Sequence, residues 1–345
     1  MQIDVMTGPV PWADAAEMAT LVETAGFSGM LWTETSQVPW MQIATAAQAA
    51  PSLHFSTGIA VAFPRSPMVT AATAHELVAN TGGRFRLGLG SQVKAHIERR
   101  YGAEFDRPAA RLRDYVLAVQ ACWRAFEREE RLAHDGEFWS LSLLPPDWAP
   151  RAHGLPMRVD ISAVGPVMLG VAGEVADGVH VHPLHSMHYV EHRLRPGVAA
   201  GATRAGRDPS ALELIVPVFA CPGDSDDERA PLVAQAKRQI AFYGSTPNYA
   251  FQFDDLGFEG TTGRIRTRMK AGDLDGLGDE ITDEMLDAFA LVATWDELAD
   301  RILDRYEDVA ARVVLYLGGQ QIRTDDRARG RWAEIARAVT GGAQR

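Results

Sequence analysis

The residues best suited to chemistry sit where short apolar runs stop. Leu31-Trp32-Thr33-Glu34-Thr35 ends one run on a carboxylate, with Trp40 shortly after. A carboxylate at the carboxyl end of a barrel strand points into the mouth, where such folds hold their active sites. The plainer reading is that Glu34 pairs with a nearby arginine. The run His54 to Phe63 carries Gly58 inside it, and a glycine there marks a bulge, a close approach of backbone to a ligand, or tight packing. Phe85 to Leu89 stops abruptly at Gly90-Ser91-Gln92, followed by Lys94, His96, Arg99 and Arg100. Gly88-Leu89-Gly90 starts like a dinucleotide-binding loop, but Val93 stands where the third glycine belongs, so that pattern fails. Such small residues are expected to let a flat ring lie against the strand end. Ser162-Ala163-Val164-Gly165-Pro166 leads from a strand into a helix. It reads equally as a phosphate site built from helix-start N–H groups and as an ordinary tight turn.

Histidines cluster at 180, 182, 185 and 188. His180 and His182, as alternate residues of a strand, share one face. Such a pair can hold a catalytic metal, which keeps a metal-dependent barrel hydrolase among the alternatives. No supporting set of strand-end ligands is apparent, and a polar wall against phosphate is the expected role. No metal ligand is assigned. His54 and His75 read as structural; residue 79 is Ala, so His75-Glu76 is no zinc-protease motif. Asp160 is expected to lie buried against an arginine.

Eight β-branched or apolar runs must position these residues: Ile3 to Met6, Gly29 to Thr33, His54 to Ala62, Phe85 to Leu89, Arg158 to Ala163, Gly178 to Val181, Leu212 to Ala220 and Arg312 to Leu317. Alanine-rich stretches with helical spacing lie between them. They include Trp12 to Ala25, Pro67 to about Asn80, Ala109 to Arg128, Pro166 to Ala176, Glu228 to Phe242 and Trp295 to Val309. Thr294 with Glu297 forms a capping pattern before the last of these. Strand–helix alternation implies parallel pairing with right-handed crossovers. Eight such units close into a (β/α)8 TIM barrel. An open doubly wound sheet competes, but MTGPVPW after the first strand is not its fingerprint. The chain reads as a single domain over residues 1–345. Insertions near 132–156 and 244–283 have the character of lids or binding loops, and Arg327 to Val339 is expected to form a C-terminal helix.

The 345 residues are 46% hydrophobic and 23% charged, with a formal net charge of −11. That excess of acid opposes general binding to nucleic acid or to an anionic membrane. Cys122 and Cys221 stand alone, without metal-like spacing or a disulfide framework. The start MQIDVMTG shows no secretory pattern, and a cytoplasmic location is expected.

Residues Trp12 to Tyr115 and Met157 to His185 resemble the bacterial-luciferase-like superfamily, with the likeness extending to Gly318. Its carriers are AGFSGMLWTET, TGIAVAFPRSP, GGRFRLGLGSQ and ISAVGPVMLGVAGEVADGVHVHP. LGLGSQVKAHIERRYG together with AFYGSTP at 241–247 resembles the branch that uses the deazaflavin coenzyme F420. The resemblance implies an oxidoreductase moving hydride between F420 and a small organic substrate, and leaves an FMN-dependent monooxygenase as the alternative. It implies a cofactor ring across the barrel mouth, backed by a cis peptide at Gly58–Ile59. Trp40, Ser91 and Gln92 would join that cofactor site. Ala163, Val164 and Gly165 would meet the phosphate, with His182 or His185 beside it. Lys94, Arg65 and Arg264 to Lys270 would offset the acidic charge. Thr35 stands where members of the branch often carry histidine, and Val93 where some carry glutamate. Glu34 and His96 are the substitutes as catalytic proton donors. A relative that binds cofactor without turnover is a further alternative. A homodimer is consistent with the superfamily.

Overall fold

The computed structural model describes residues 1–342. Eight parallel strands close a barrel: β1 (Gln2–Thr7), β2 (Gly29–Trp32), β3 (His54–Thr57), β4 (Phe85–Gly90), β5 (Val159–Ser162), β6 (Gly178–His180), β7 (Glu213–Pro222) and β8 (Arg312–Leu315). Each pairs with the next in sequence, and β8 returns to β1. These are the eight runs predicted from sequence. They are apolar on both faces because helices cover the outside and side chains fill the inside.

The covering helices are α1 (Trp12–Thr24), α2 (Trp40–Ala49), α3 (Pro67–Thr81), α4 (Lys94–Arg99), α5 (Pro108–Phe126), α6 (Pro166–Val175), α7 (Arg195–Arg204), α8 (Asp226–Gly244), α9 (Thr261–Lys270), α10 (Asp283–Phe289), α11 (Leu298–Tyr306) and α12 (Asp326–Gly342). Local chemistry sets their ends. Ser66 caps α3 by accepting the Val69 N–H, Pro67 opens it, and Gly82 closes it at φ +62°, a conformation that costs glycine little. Thr294 and Glu297 form the expected reciprocal box, although the regular helix starts only at Leu298. None of the described helices is long and apolar enough to cross a membrane.

The barrel interior is layered. At the amino-terminal end lies a charged floor. Arg86 reaches Asp160 at 2.6 Å and also pairs with Glu213, while Arg312 holds Asp4 at 2.6 Å. Asp160 therefore is buried against an arginine, as expected. Above the floor, Leu31, Ile215 and Val314 form a small apolar layer with Met6. Floor and layer together leave a void of about 10 Å³, so the barrel is a packed core and not a pore.

The two insertions differ from each other. Residues 132–156 hold a small antiparallel hairpin, His134–Asp135 with Ser140–Leu141. Residues 244–283 are mostly helical and include α9. Their apolar side chains, Phe253, Ile265 and Leu277, join Phe289 of α10 and the strand end Phe219 in a second core. The glycine-rich composition hid this because its apolar residues are widely spaced. A short strand at Ala290–Ala293 extends the sheet by pairing with the carboxyl end of β7.

Candidate active site

The carboxyl end of β3 departs from regular pairing. Ser56 faces Arg86 and Ala60 faces Leu89. Three residues, Thr57 to Ile59, thus oppose two, Leu87 and Gly88, which makes a bulge. The Gly58–Ile59 peptide within it is cis. Thr57 repairs the broken ladder with its side chain. Its Oγ1 donates to the Gly88 carbonyl at 2.6 Å and accepts the Gly88 N–H at 2.9 Å. The glycines of β4 are spatial necessities. A Cβ on Gly88 would lie 1.9 Å from the Thr57 carbonyl oxygen and 2.5 Å from His180 Nε2. One on Gly90 would lie 2.6 Å from both Ile59 and Ser162. These glycines are therefore required by the close approach of the Thr57 carbonyl, Ile59, Ser162 and His180.

Glu34 is held on the far side of this bulge. Its Oε1 accepts from Arg65 at 2.5 Å, and its Oε2 accepts from Arg65 at 2.9 Å and from the Val61 N–H at 2.8 Å. The side chain is 2% exposed. This is the pairing with an arginine that the sequence also allowed, and it clamps the segment after the bulge. The expected place of Trp40 at the cofactor is corrected. It is buried in the main core, edge-on to Phe85, with Arg65 over its ring. Its ring packs and does not line the mouth. His96 lies exposed on α4. That helix leaves the end of β4, and Arg100 just beyond it donates to the Thr35 carbonyl after β2. The segment therefore bridges over the end of β3, and His96 rides on its solvent side with no side-chain hydrogen bond given to it among the described residues.

Strands β4, β5 and β6 end side by side, since Leu89 pairs with Ile161 and Ser162 with His180. Ser91 and Gln92, Ala163 to Gly165, and His182 thereby form one arc. Gln92 has φ +55°, a left-handed conformation uncommon for a side-chain-bearing residue, and its Oε1 accepts the Val93 N–H at 3.0 Å. Gly165 caps α6, and nothing lies within 4 Å of the place its Cβ would occupy. The helix start is therefore open, with unpaired N–H groups of the kind that bind anions.

The histidines divide by role. His182 accepts the Leu184 N–H at Nδ1, 3.1 Å away. Burial pushes its pKa down to about 3. The ring is therefore neutral at ordinary pH, and its Nε2 carries the proton as a donor. Tyr243 packs edge-on to it at 4.8 Å, and Tyr249 packs at 4.6 Å. His185 is buried instead of facing a ligand, which corrects its expected phosphate contact. Its Nδ1 donates to the His182 carbonyl at 2.9 Å, leaving Nε2 to accept from Tyr306 at 3.4 Å. It props the loop that carries His182. His180 is buried over Gly88 with Nε2 unpartnered, and burial lowers its pKa to about 4. His180 and His182 gather no third His, Cys, Asp or Glu ligand among the described residues. This removes the geometric support for a metal-dependent hydrolase at this pair.

Two tyrosines complete the mouth. Tyr316, just past β8, and Tyr243, on α8, share a hydrogen bond between their hydroxyls. Burial raises the pKa of both, so both stay protonated. Tyr316 also opens on a cavity of about 360 Å³ bordered by Met6, Thr7, Gln235 and Gln320. Tyr243, Tyr249 and Tyr316 were not foreseen as site residues, although AFYGSTP contains the first of them. Several of the residues expected to offset the acidic charge are paired: Arg65 is committed to Glu34, Lys94 stands 3.7 Å from Glu98, and Arg264 and Arg268 both bind Glu280. Arg266 donates to the Ser245 carbonyl at 3.3 Å.

Comparison with known proteins agrees with this architecture. The family model described as luciferase-like monooxygenase matches residues 2–312. An uncharacterized protein of Mycobacterium tuberculosis is 37% identical over 312 residues, covering 90% of this chain and 92% of that protein. The 5,10-methylenetetrahydromethanopterin reductase of Methanolobus tindarius is 29% identical over 296 residues, covering 85% and 86%. Among solved structures, the coenzyme F420 dependent tetrahydromethanopterin reductase from Methanopyrus kandleri superposes with a TM-score of 0.78 at 18% identity, covering 99% of each chain. The oxygenating constituent of 3,6-diketocamphane monooxygenase from Pseudomonas putida, in complex with FMN, has a TM-score of 0.67 at 17% identity, covering 99% and 98%.

Proposed function

The chain belongs to the luciferase-like monooxygenase family, and from that premise we propose that it transfers hydride between coenzyme F420 and a small organic substrate. The observation that carries this reading is the arc at the ends of β4, β5 and β6. It joins an open helix start, Ser91 and a neutral His182 Nε2–H in one anion-binding edge beside the bulge at Gly58–Ile59. These neutral donors suit a phosphate-bearing cofactor, because dipoles and N–H groups bind anions without a full positive charge. The similarity to an F420 dependent reductase and to a methylenetetrahydromethanopterin reductase supports the deazaflavin over a flavin.

The deazaflavin, when bound, supplies the hydride chemistry. The chain supplies orientation and a proton. Ser91, Ala163 to Gly165 and His182 hold the phosphate side. The bulge, fixed by Thr57 and by the Glu34–Arg65 clamp, backs the ring. Tyr316 holds a proton at its hydroxyl beside the cavity, and Tyr243 is hydrogen-bonded behind it to replace that proton. This assignment takes the role from Glu34, whose carboxylate is fully engaged.

Equilibrium binding of the purified protein to F420 and to FMN, followed side by side by fluorescence quenching, tests the reading. Binding of F420 with FMN far weaker is expected. Preference for FMN would establish the monooxygenase reading, which the FMN-bound structural relative favours. Binding of neither would sink both.

A further inference from the structure

At the amino-terminal end of the barrel, away from the mouth, three potential ligands from separate elements converge. His75 comes from α3, Glu127 follows α5, and His153 belongs to the loop that leads into β5. One donor atom from each lies within 4.8 Å of the others. His75 Nε2 is 2.8 Å from Glu127 Oε1, and His153 Nδ1 is 3.6 Å from the same oxygen. A tetrahedral ion bound at ~2.0–2.1 Å keeps its ligand atoms about 3.3 Å apart, and these two spacings bracket that value.

The geometry points to a binding site for a zinc-class divalent ion at His75, Glu127 and His153, clasping the insertion to the barrel's outer helices. The carboxylate is already oriented for it. Glu127 Oε2 accepts the Gly154 N–H at 2.8 Å and the His153 N–H at 3.1 Å, while Oε1, toward the imidazoles, shares the His153 N–H only at 3.3 Å. Hydrogen-bonded support of this kind holds a ligating carboxylate in place. The imidazole rings lie 4.2 Å apart at 32°, close enough to serve one centre. The Leu155 N–H lies 3.0 Å from His153 Nδ1, so ligation through this nitrogen displaces that one backbone contact and leaves the ring proton on Nε2, which is buried without a hydrogen-bond partner. Glu127 and Gly154 also line a surface cavity of about 470 Å³, so the carboxylate of the cluster borders solvent-accessible space. Two imidazoles with one carboxylate favour zinc and its neighbours over magnesium or calcium, which prefer all-oxygen sets. At this end of a barrel the expected role is stability, not catalysis.

The test uses the full chain, stripped of metal with a chelator and passed through gel filtration. Zinc is expected to bind at one ion per chain and to raise Tm by several degrees. Cobalt(II) is expected to give the visible absorption of a tetrahedral site, while magnesium and calcium leave Tm unmoved. His153→Ala, a change in a loop, is expected to abolish the cobalt spectrum and the zinc-dependent rise in Tm. His75→Asn is expected to do the same. A wild-type chain whose Tm ignores zinc and which gives no cobalt bands would overturn the proposal. So would a His153→Ala chain that keeps full stoichiometry.

Discussion

Glu34 and Arg65 meet in a two-pronged pair, Oε1 at 2.5 Å and Oε2 at 2.9 Å from the guanidinium, and the Val61 amide shares Oε2. Arg65 in turn donates to the Val61 carbonyl at 2.8 Å. Both polar groups of one residue after the bulge are thus gripped by a single ion pair. Hydrogen bonds to charged groups contribute about 1.5–3 kcal/mol net. Glu34→Gln is expected to weaken cofactor binding by roughly ten-fold or more, through loss of this grip. The shape of the pH profile of kcat is expected to stay unchanged. Loss of one limb of that profile would instead show Glu34 to be the proton donor.

Tyr316 and Tyr243 carry a second prediction. Tyr316→Phe removes the hydroxyl beside the cavity and keeps the ring that packs on Phe219. General acid catalysis typically contributes 10²–10⁴-fold, so kcat is expected to fall by about that factor with F420 affinity preserved. Tyr243→Phe is expected to have a smaller effect, because it acts through Tyr316. An unchanged kcat in Tyr316→Phe would place the proton source elsewhere.

The strands were legible because a parallel strand buried on both faces is a compact apolar run, and each run stops at small or polar residues. The arc at 91–92, 163–165 and 182 was legible for the same reason, since strand ends are recognisable even without neighbours. For Glu34 the sequence left a catalytic role and pairing with an arginine both open. Its partner Arg65 is 31 positions away along the chain, and nothing local reveals that these two meet. Trp40 and His185 failed alike, because sequence marks a residue as near a strand end without saying which way its side chain turns. The tyrosine wall depends on three separate elements converging, which no single motif encodes.

Acid should weaken the fold through the histidines. Burial lowers the pKa of His180 and His185 to about 4 and that of His182 to about 3, against about 6.5 in an unfolded chain. Below pH 6.5 the unfolded state binds protons that the native state refuses, so stability falls with pH. The contribution is complete above 6.5 and declines until the folded-state values near 3–4 are reached. Urea unfolding at pH 7.5 and pH 5 is expected to show a lower midpoint at pH 5. Equal midpoints would show that these rings are not held neutral.

Arg86 anchors the barrel floor between Asp160 and Glu213. Removing one partner of a buried pair costs about 3–5 kcal/mol, whereas replacing the pair with apolar groups is often close to neutral. Arg86→Met is therefore expected to destabilise by about that amount, and Arg86→Met with Asp160→Leu to recover part of it. Arg158 still pairs with Glu213 in both variants. Denaturant midpoints at pH 7 decide the matter. A single variant as stable as the wild type would show that the floor is not a structural requirement.

The floor also sets the order of traffic. With the amino-terminal end sealed by ion pairs and an apolar layer, the barrel has a single doorway, and any two molecules that react inside it share that opening. Whichever lies deeper has to arrive first and depart last, so the second arrival acts as its stopper. On the proposed reading, a reactant bound deeper than its partner is expected to give ordered steady-state kinetics, with the shallower molecule slowing escape of the deeper one.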